Sequence, residues 1–426
     1  MARIGGQLGR LLDGVEVEWK TLGDVIISLK TGLNPRQNFQ LNTGDAEGYY
    51  VTVREIQNGN IVFFDRTDRV NTRALNLINN RSNLEVGDIL FSGTGTVGRT
   101  AVIEKKPEKW NIKEGVYVIK PIHKVVNVRY LSYLLNSQEI VNEYTKKIVG
   151  SPVISLPMGE LKKLKIPIPC PDKPDRSLAI QAEIVRILDT FTELTRELTR
   201  ELTLRKKQYE YYRDRLLTFE EGEVEWKTLG EEFPFIRNGF VGTVTPFFTD
   251  AENGVRYLQG TNIHNGVISD NAAYYITKDF HKKCSRTELK ADDILMVQSG
   301  HVGESAVVGE KYKGSNCHAL IVMSNGGKCN SKFVNYYFQS TDGKNKLKRI
   351  TTGGTVKHIL ASKMKQFKIP IPSLAEQARI VAILDKFDTL TTSISEGLPR
   401  EIALRQQQYE YYRDLLLSFP KADEEL

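Results

Sequence analysis

Apolar residues recur through 178–219 as Ile180, Ile184, Ile187, Phe191, Leu194 and Leu198, stepping by 4, 3, 4, 3 and 4. Alternating fours and threes keep one stripe of a helix apolar, as in a coiled-coil seam. A second stripe runs through Ile380, Ile383, Phe387, Leu390 and Ile394, stepping by 3, 4, 3 and 4. Each predicts a helix of about 60 Å at ~1.5 Å per residue. The stretches before the two helices have another pattern. Short apolar runs such as "GNIVFF", "GDIL" and "GVYVI", set among Gly and Asn, predict short strands and turns. "VRYLSYLLNSQEIVNEY" predicts one or two amphipathic helices packed on them. "KIPIPCPDKPDRS" and "KIPIPS" cannot continue a helix and mark where each long helix begins.

The letters repeat with the pattern. "VEWKTLG" stands at 17–23 and at 224–230, "QYEYYRD" at 208–214 and at 408–414, and "KIPIP" ends at Pro169 and at Pro372, counting the final "IP" of the second. "EIVRILDTF" (183–191) answers "RIVAILDKF" (379–387), and "REIQNGNI" (54–61) answers "TNIHNGVI" (261–268). The chain is therefore two tandem copies, each a mixed head followed by a long helix. The expected layout is an N-terminal tail (1–16), a first head (17–172), a first spacer helix (173–219), a second head (220–373), a second spacer helix (374–419) and a C-terminal tail (420–426). The fold class is α+β. A helix that long finds few partners in its own head, so the two helices are expected to pack on each other. The N-terminal "RLLDGVEVEWKTLG" is similar to "RLLTFEEGEVEWKTLG", which joins helix one to head two. The tail of helix two is thus expected beside head one, making the helices antiparallel and the whole approximately two-fold. Gly397 and Pro399 predict a kink, or a break and restart, in the second helix.

Composition narrows the partners. The chain has 426 residues, 40% hydrophobic and 26% charged, with a formal net charge of +7, which permits a polyanionic partner without proving one. No apolar run reaches a membrane span and the first residues lack a secretory core, so a cytoplasmic location is expected. Cys170, Cys284, Cys317 and Cys329 form no C-x-x-C pair, and no metal site is expected. In "FSGTGTVGRTAVI", Gly93, Gly95 and Gly98 have the G-x-G-x-x-G spacing of a dinucleotide loop. The matched "MVQSGHVGESAVV" keeps Gly300 and Gly303 but has Gln298 in place of the first, which points to a strand–turn–strand. Asp88 and Asp293 read as turn caps at strand entrances, and no hydrolase, zinc-protease or P-loop motif is present. The chain is expected to be non-catalytic.

The copies agree at turns and helices and differ in loops. Same frame with different loops suggests two related sites with different targets, and DNA suits approximate two-fold symmetry. The DNA-contacting candidates in head one are Arg36, Arg54, Thr94, Arg99, Lys146, Lys147 and Ser151. In head two they are Arg237, Asn262, His264, Ser299, His301, Thr355, Lys357 and His358. Interhelix contacts are expected from Ile184, Ile187, Phe191, Leu194 and Leu198 in the first helix, and from Ile380, Ile383, Phe387, Leu390 and Ile394 in the second. Tyr209, Tyr211 and Tyr212, with Tyr409, Tyr411 and Tyr412, cover too much of a helix to be all core and suggest a protein-binding surface.

In order, "VEWKTLG", "GDIL", "TTGGTVKHI", "KIPIPSLAEQARIVAILDKF" and "QYEYYRD" resemble the specificity subunits of type I restriction–modification systems, over nearly the whole chain. Copy one departs by an insertion, "CPDKPDR", before its helix, although Gln181 still matches Gln377. The resemblance implies two target recognition domains, each reading one part of a split, asymmetric sequence in double-stranded DNA. It implies spacer helices that act as a ruler and dock two methyltransferase subunits, with restriction and translocase subunits joining that core. S-adenosylmethionine would belong to the methyltransferase, leaving no cofactor on this chain. The residues alone leave open a two-headed interaction scaffold that does not bind nucleic acid, or a stand-alone modification enzyme. "TELTRELTREL" (192–202) is a tandem repeat of TREL, as a ruler would have.

Overall fold

The computed structural model describes residues 14–35, 38–220, 222–393 and 395–419; Arg36, Ile394 and most of both tails lie outside them. The chain divides into two compact units, Met1–Glu197 with Ala403–Leu426, and Leu198–Ile402.

The first unit contains β1 (Val17–Thr21), β2 (Ile26–Thr31), β3 (Gly48–Val51), α1 (Thr72–Ser82), β4 (Ile89–Ser92), β5 (Thr100–Val102), β6 (Trp110–Ile112), β7 (Val116–Pro121), α2 (Val128–Leu135), α3 (Gln138–Thr145) and β8 (Lys165–Pro169), followed by α4 (Pro174–Leu216), whose last part belongs to the second unit. An antiparallel sheet in the order β2-β7-β4-β5 carries the core. A smaller sheet pairs β3 with β6 in parallel and with Arg69–Val70 in antiparallel. The two sequence marks that bound the head pair with each other: in β1 and β8, Val17 faces Pro169, Trp19 faces Pro167 and Thr21 faces Lys165. Ile166 and Ile168 alternate with the prolines and are buried. The amphipathic stretch after β7 is two helices, α2 and α3. Asn127 caps α2, its side chain accepting the Arg129 and Tyr130 N–H groups.

The second unit repeats this plan: β9 (Glu225–Thr228), β10 (Phe235–Asn238), β11 (Gly254–Leu258), β12 (Tyr274–Thr277), β13 (Ile294–Val297), β14 (Ser305–Val307), β15 (Leu320–Ser324), α5 (Ser331–Gln339), α6 (Thr341–Ile350) and β16 (Lys368–Ile371), then α7 (Leu374–Thr392). The sheet order β10-β15-β13-β14 matches that of the first head, and β9 pairs with β16 as β1 does with β8. α8 (Gly397–Leu417) follows, most of it in the first unit.

Each unit fastens its helices to its head by the same contacts. Gln181 is wholly buried, accepts the Asn127 N–H at 2.7 Å and donates to the Val125 carbonyl at 3.1 Å. Gln377 likewise accepts the Asn330 N–H at 2.7 Å. Asp189 accepts from Tyr133 and Arg129, and Asp385 from Tyr336 and Lys332. The repeated "QYEYYRD" is the second fastener. Asp414 accepts the Gln138 N–H that opens α3, at 3.0 Å, and Asp214 accepts the N–H and hydroxyl of Thr341, which opens α6, at 3.0 and 2.5 Å. Each copy's motif therefore docks on the other copy's head, as the N-terminal echo suggested.

Helix pairing follows. In the first unit Ile184 and Leu188 share a core with Tyr412, Leu416 and Leu417, and Phe191 stacks on Tyr412 at 5.2 Å. In the second, Ile380 and Leu384 share a core with Tyr209 and Leu217, and Phe387 stacks on Tyr209 and Tyr212 at 6.2 and 5.6 Å. Ile187, Leu194, Leu198, Ile383 and Leu390 are only half-buried, whereas Leu188 and Leu384, outside the expected seam, are wholly buried. The correction has a physical cause: these segments face both a head and a second helix, so the buried face is wider than a coiled-coil stripe. Of the tyrosines, Tyr209 and Tyr412 are buried, while Tyr211 and Tyr411 are exposed. The second helix is broken, not kinked. α7 stops at Thr392 and α8 restarts at Gly397, whose φ of +74° suits glycine and whose Cβ would stand 2.4 Å from the Thr389 carbonyl oxygen.

Candidate nucleic-acid interface

The glycine run joins two strands. β4 pairs with β5 in the register Ile89↔Val102, Leu90↔Ala101, Phe91↔Thr100, and β13 pairs with β14 in the same way. No helix N-terminus follows the glycines to hold a pyrophosphate. Gly95 and Gly98 turn the chain at φ +81° and +99°, as Gly300 and Gly303 do at +83° and +94°. Gly93 serves another purpose: a Cβ there would stand 2.1 Å from the Tyr117 ring. Tyr117 pairs with Phe91 on the neighbouring strand; Ile321 pairs with Met296 at the same place in head two, and there Gln298 is accommodated.

A second loop lies against this hairpin. In head one Val149 and Ser155 exchange N–H···O bonds of 2.8 Å, and the Thr94 and Ser155 hydroxyls stand 3.2 Å apart. In head two Thr352 and His358 exchange bonds of 2.9 and 2.7 Å, and Ser299 Oγ lies 2.6 Å from His358 Nδ1. Both loops carry apolar side chains in solvent, with Val153 63% and Val356 56% exposed.

A third loop comes from the "REIQNGNI" and "TNIHNGVI" echoes. Arg99 Nη1, on the hairpin, donates to the Val53 carbonyl at 3.2 Å. In head two His301 Nε2 lies 3.0 Å from the Gly260 carbonyl, and Glu304 accepts the Asn265 N–H at 2.8 Å. His264 stacks on His301, with ring centroids 5.2 Å apart.

The structure thus brings Thr94, Arg99 and Ser151 together in head one, and His264, Ser299, His301, Thr355, Lys357 and His358 together in head two. Lys146 is exposed at the end of α3, and Lys147 pairs with Glu143 at 2.9 Å. Arg54 sits beside the third loop with part of its charge engaged, donating to Glu55 at 3.0 Å and pairing with Asp68 at 3.6 Å. One expectation is corrected, and one residue stands apart from the cluster. Asn262 is wholly buried: its side chain accepts the Gln259 N–H and donates to the Ser269 and Asn271 carbonyls, so it holds the turn and cannot meet a base. At the matched place in head one Glu55, also wholly buried, accepts the Thr52 N–H and hydroxyl. Arg237 lies on β10 and bonds to Ser324 and the Glu288 carbonyl, with Asp293 at 3.7 Å, at the end of β13 away from the hairpin turn. Arg36 falls outside the described residues.

Three features escaped the sequence reading. Ser155 holds the place of His358. Val153 and Val356 are displayed at loop tips. α6 presents Lys344, Lys348 and Arg349 to solvent, without an ion pair among the described residues, immediately before the second loop. Asp88 and Asp293 are the turn caps expected, accepting the Glu85 and Lys290 N–H groups at 2.8 and 3.0 Å; burial pushes both carboxyls above the usual range. Among the described residues no three His, Cys, Asp or Glu side chains gather to hold a metal ion, no helix is long and apolar enough to cross a membrane, and all four cysteines are free.

A duplicated head with one frame and two surface chemistries, fastened to long helices, defines a two-site recognition protein. Both copies match the type I restriction modification DNA specificity domain, over residues 14–205 and 223–404. The chain belongs to the specificity subunits of type I restriction–modification systems. The type I restriction enzyme EcoR124I/EcoR124II specificity subunit of Escherichia coli is 37% identical, over 98% of each chain. The EcoprrI specificity subunit of the same species is 31% identical over 91% of this chain and 92% of its own. Two solved structures share the fold. One, from a study of complex assembly and conformational transition of the type I R-M system, has a TM-score of 0.63 at 17% identity, covering 95% of this chain and 98% of that one. The other, the S subunit from M. genitalium, has a TM-score of 0.52 at 16% identity, covering 96% and 98%.

Proposed function

We propose that each head reads one part of a split, asymmetric DNA target through its three-loop cluster. The observation that carries this is the pair of clusters built on one hydrogen-bonded frame with different outward side chains. Lysines and arginines near the loops, including Lys146 and those of α6, contact phosphates and set position. The hydroxyl and imidazole groups meet base edges, and Val153 and Val356 offer apolar contact to a thymine methyl. The long helices set the separation and dock two methyltransferase subunits, which supply the S-adenosylmethionine and the chemistry. Restriction and translocase subunits join that assembly in the cytoplasm. This chain positions and does not catalyse.

The test is a TREL insertion after Leu202. Four helical residues add roughly 6 Å, against ~3.4 Å per base pair of DNA. Sequencing methylated sites in a host carrying this chain and its methyltransferase should show the unread gap wider by about one or two base pairs, with both half-sites unchanged. An unchanged gap sinks the ruler. Binding to random duplex that ignores salt removes the DNA reading itself, because phosphate-dominated binding weakens by about 0.9 log units per log unit of salt for each neutralised phosphate.

A further inference from the structure

Three of the chain's six histidines, His264, His301 and His358, stand in the three-loop cluster of head two. The matched positions in head one hold Gln57, Thr96 and Ser155, none of which titrates near neutral pH. The composition of this face therefore differs between the heads in one chemical respect above others, the capacity to gain charge between about pH 6 and 8.

The geometry shows how that capacity is held. The His264 and His301 rings are stacked, 5.2 Å apart and 20° from parallel. His264 Nε2 lies 2.7 Å from the Thr261 carbonyl oxygen and His301 Nε2 lies 3.0 Å from that of Gly260. A carbonyl only accepts, so each Nε2 carries a hydrogen and the neutral tautomer is set. That leaves Nδ1 on both rings as the atom that gains the proton, and neither Nδ1 has a hydrogen-bond partner among the described residues. Charged groups stand on the neighbouring segments. Glu304, on the hairpin's return strand, has its carboxylate on the Asn265 N–H. Lys357 neighbours His358 in the second loop, and Lys348 and Arg349 end α6 just before it. His358 Nδ1 faces the Ser299 hydroxyl at 2.6 Å. Lys357, Lys348 and Arg349 outnumber Glu304 among these groups, which suits an approaching phosphate.

We propose that DNA binding by the second head is proton-linked: the stacked His264–His301 pair, with His358 beside it, takes up a proton as its Nδ1 edge meets a backbone phosphate, while the first head binds without proton uptake. The proposal rests on the DNA reading above. No bond other than N–H is formed; the proton comes from solvent, and its charge is balanced by the phosphate.

The experiment measures Kd of the full chain for a random-sequence duplex at constant ionic strength, near pH 6 and near pH 8, with a salt series at each. The wild type should bind about fivefold or more tightly at the lower pH, since each proton taken up changes log K by at most about one per pH unit. The variant His264→Gln/His301→Thr/His358→Ser carries head one's residues. Its intact first head keeps it on DNA, and its ratio of affinities at the two pH values should fall close to one, whatever its absolute affinity. His301→Thr alone should remove part of the ratio. His123, His281 and His318 remain in both variants, so a ratio that survives in the triple variant assigns the effect to them and overturns the proposal. A wild type with a steep salt slope and no pH effect also overturns it while leaving the DNA reading intact. A wild type with no salt-dependent binding at either pH removes both.

Discussion

Head one ties its hairpin to the third loop with Arg99, whose guanidinium donates to a backbone carbonyl; head two makes the same join with Glu304, whose carboxylate accepts a backbone N–H. Head one closes its sheet over a tyrosine ring and needs Gly93 to admit it; head two has Ile321 there and carries Gln298. Beneath these exchanges the fasteners are the same: Gln181 and Gln377, Asp189 and Asp385, Asp214 and Asp414 in matched roles. The frame therefore depends on a few buried polar contacts and on which positions are filled, and opposite charges can complete one join. That is what a reading surface requires if two copies are to meet different targets.

The comparison is broken most forcefully at the helix roots. Leu188 and Leu384 are matched, wholly buried and packed between head and helices. Leu188→Ala and Leu384→Ala should each cost about 3 kcal/mol, the middle of the range for a buried leucine. Denaturant melts of the two variants should show similar losses. If one variant melts like wild type, the two roots are not equivalent.

The exchange at the hairpin makes the next test. Gly93→Gln forces a side chain against the Tyr117 ring and should destabilise by about 2 kcal/mol, as overpacking does. Tyr117→Ile alone leaves a void. Together they rebuild head two's arrangement, so the double variant should recover at least half of the Gly93→Gln loss. Additive losses would mean the ring is not what the glycine makes room for.

How far these contacts were legible in the sequence depends on their kind. The repeat located both heads, both long helices and the pairing of each helix end with the other copy's head, because identical words demand identical contacts. The hairpin was legible because one copy lacked a glycine that a phosphate loop needs. Leu188 was not, since a 3-4 stripe describes a helix with one neighbour and this helix has two. Asn262 and His264, two residues apart, looked alike as polar loop residues; only the turn geometry buries the first and displays the second. Val153 and Val356 carry no mark in the sequence that sets them apart from core valines, and only the fold places them at loop tips; α6's basic face depended on where the helix met its head.

The smallest effect separates the two copies of "QYEYYRD". Asp414 accepts one N–H at the start of α3, whereas Asp214 accepts the N–H and hydroxyl of Thr341 at the start of α6. A carboxylate there also meets the positive end of a helix. Asp214→Ala should cost about 1–2 kcal/mol and Asp414→Ala about 0.5–1 kcal/mol, the range of helix-cap losses. Burial opposes ionisation of Asp214, yet the two bonds from Thr341 and the nearby Arg213 outweigh it and bring the carboxyl below its ordinary range. A carboxyl lowered in the folded state contributes stability that is present above its unfolded pKa, about 3.9, and is lost as pH falls through its folded value. The gap between wild type and Asp214→Ala should thus be constant around neutrality and narrow below about pH 4. Denaturant titrations at neutral pH and toward pH 3 measure it. A gap that widens on acidification would mean that the charge of Asp214 opposes the docking of α4 on the second head, and the two fasteners would then hold by different forces.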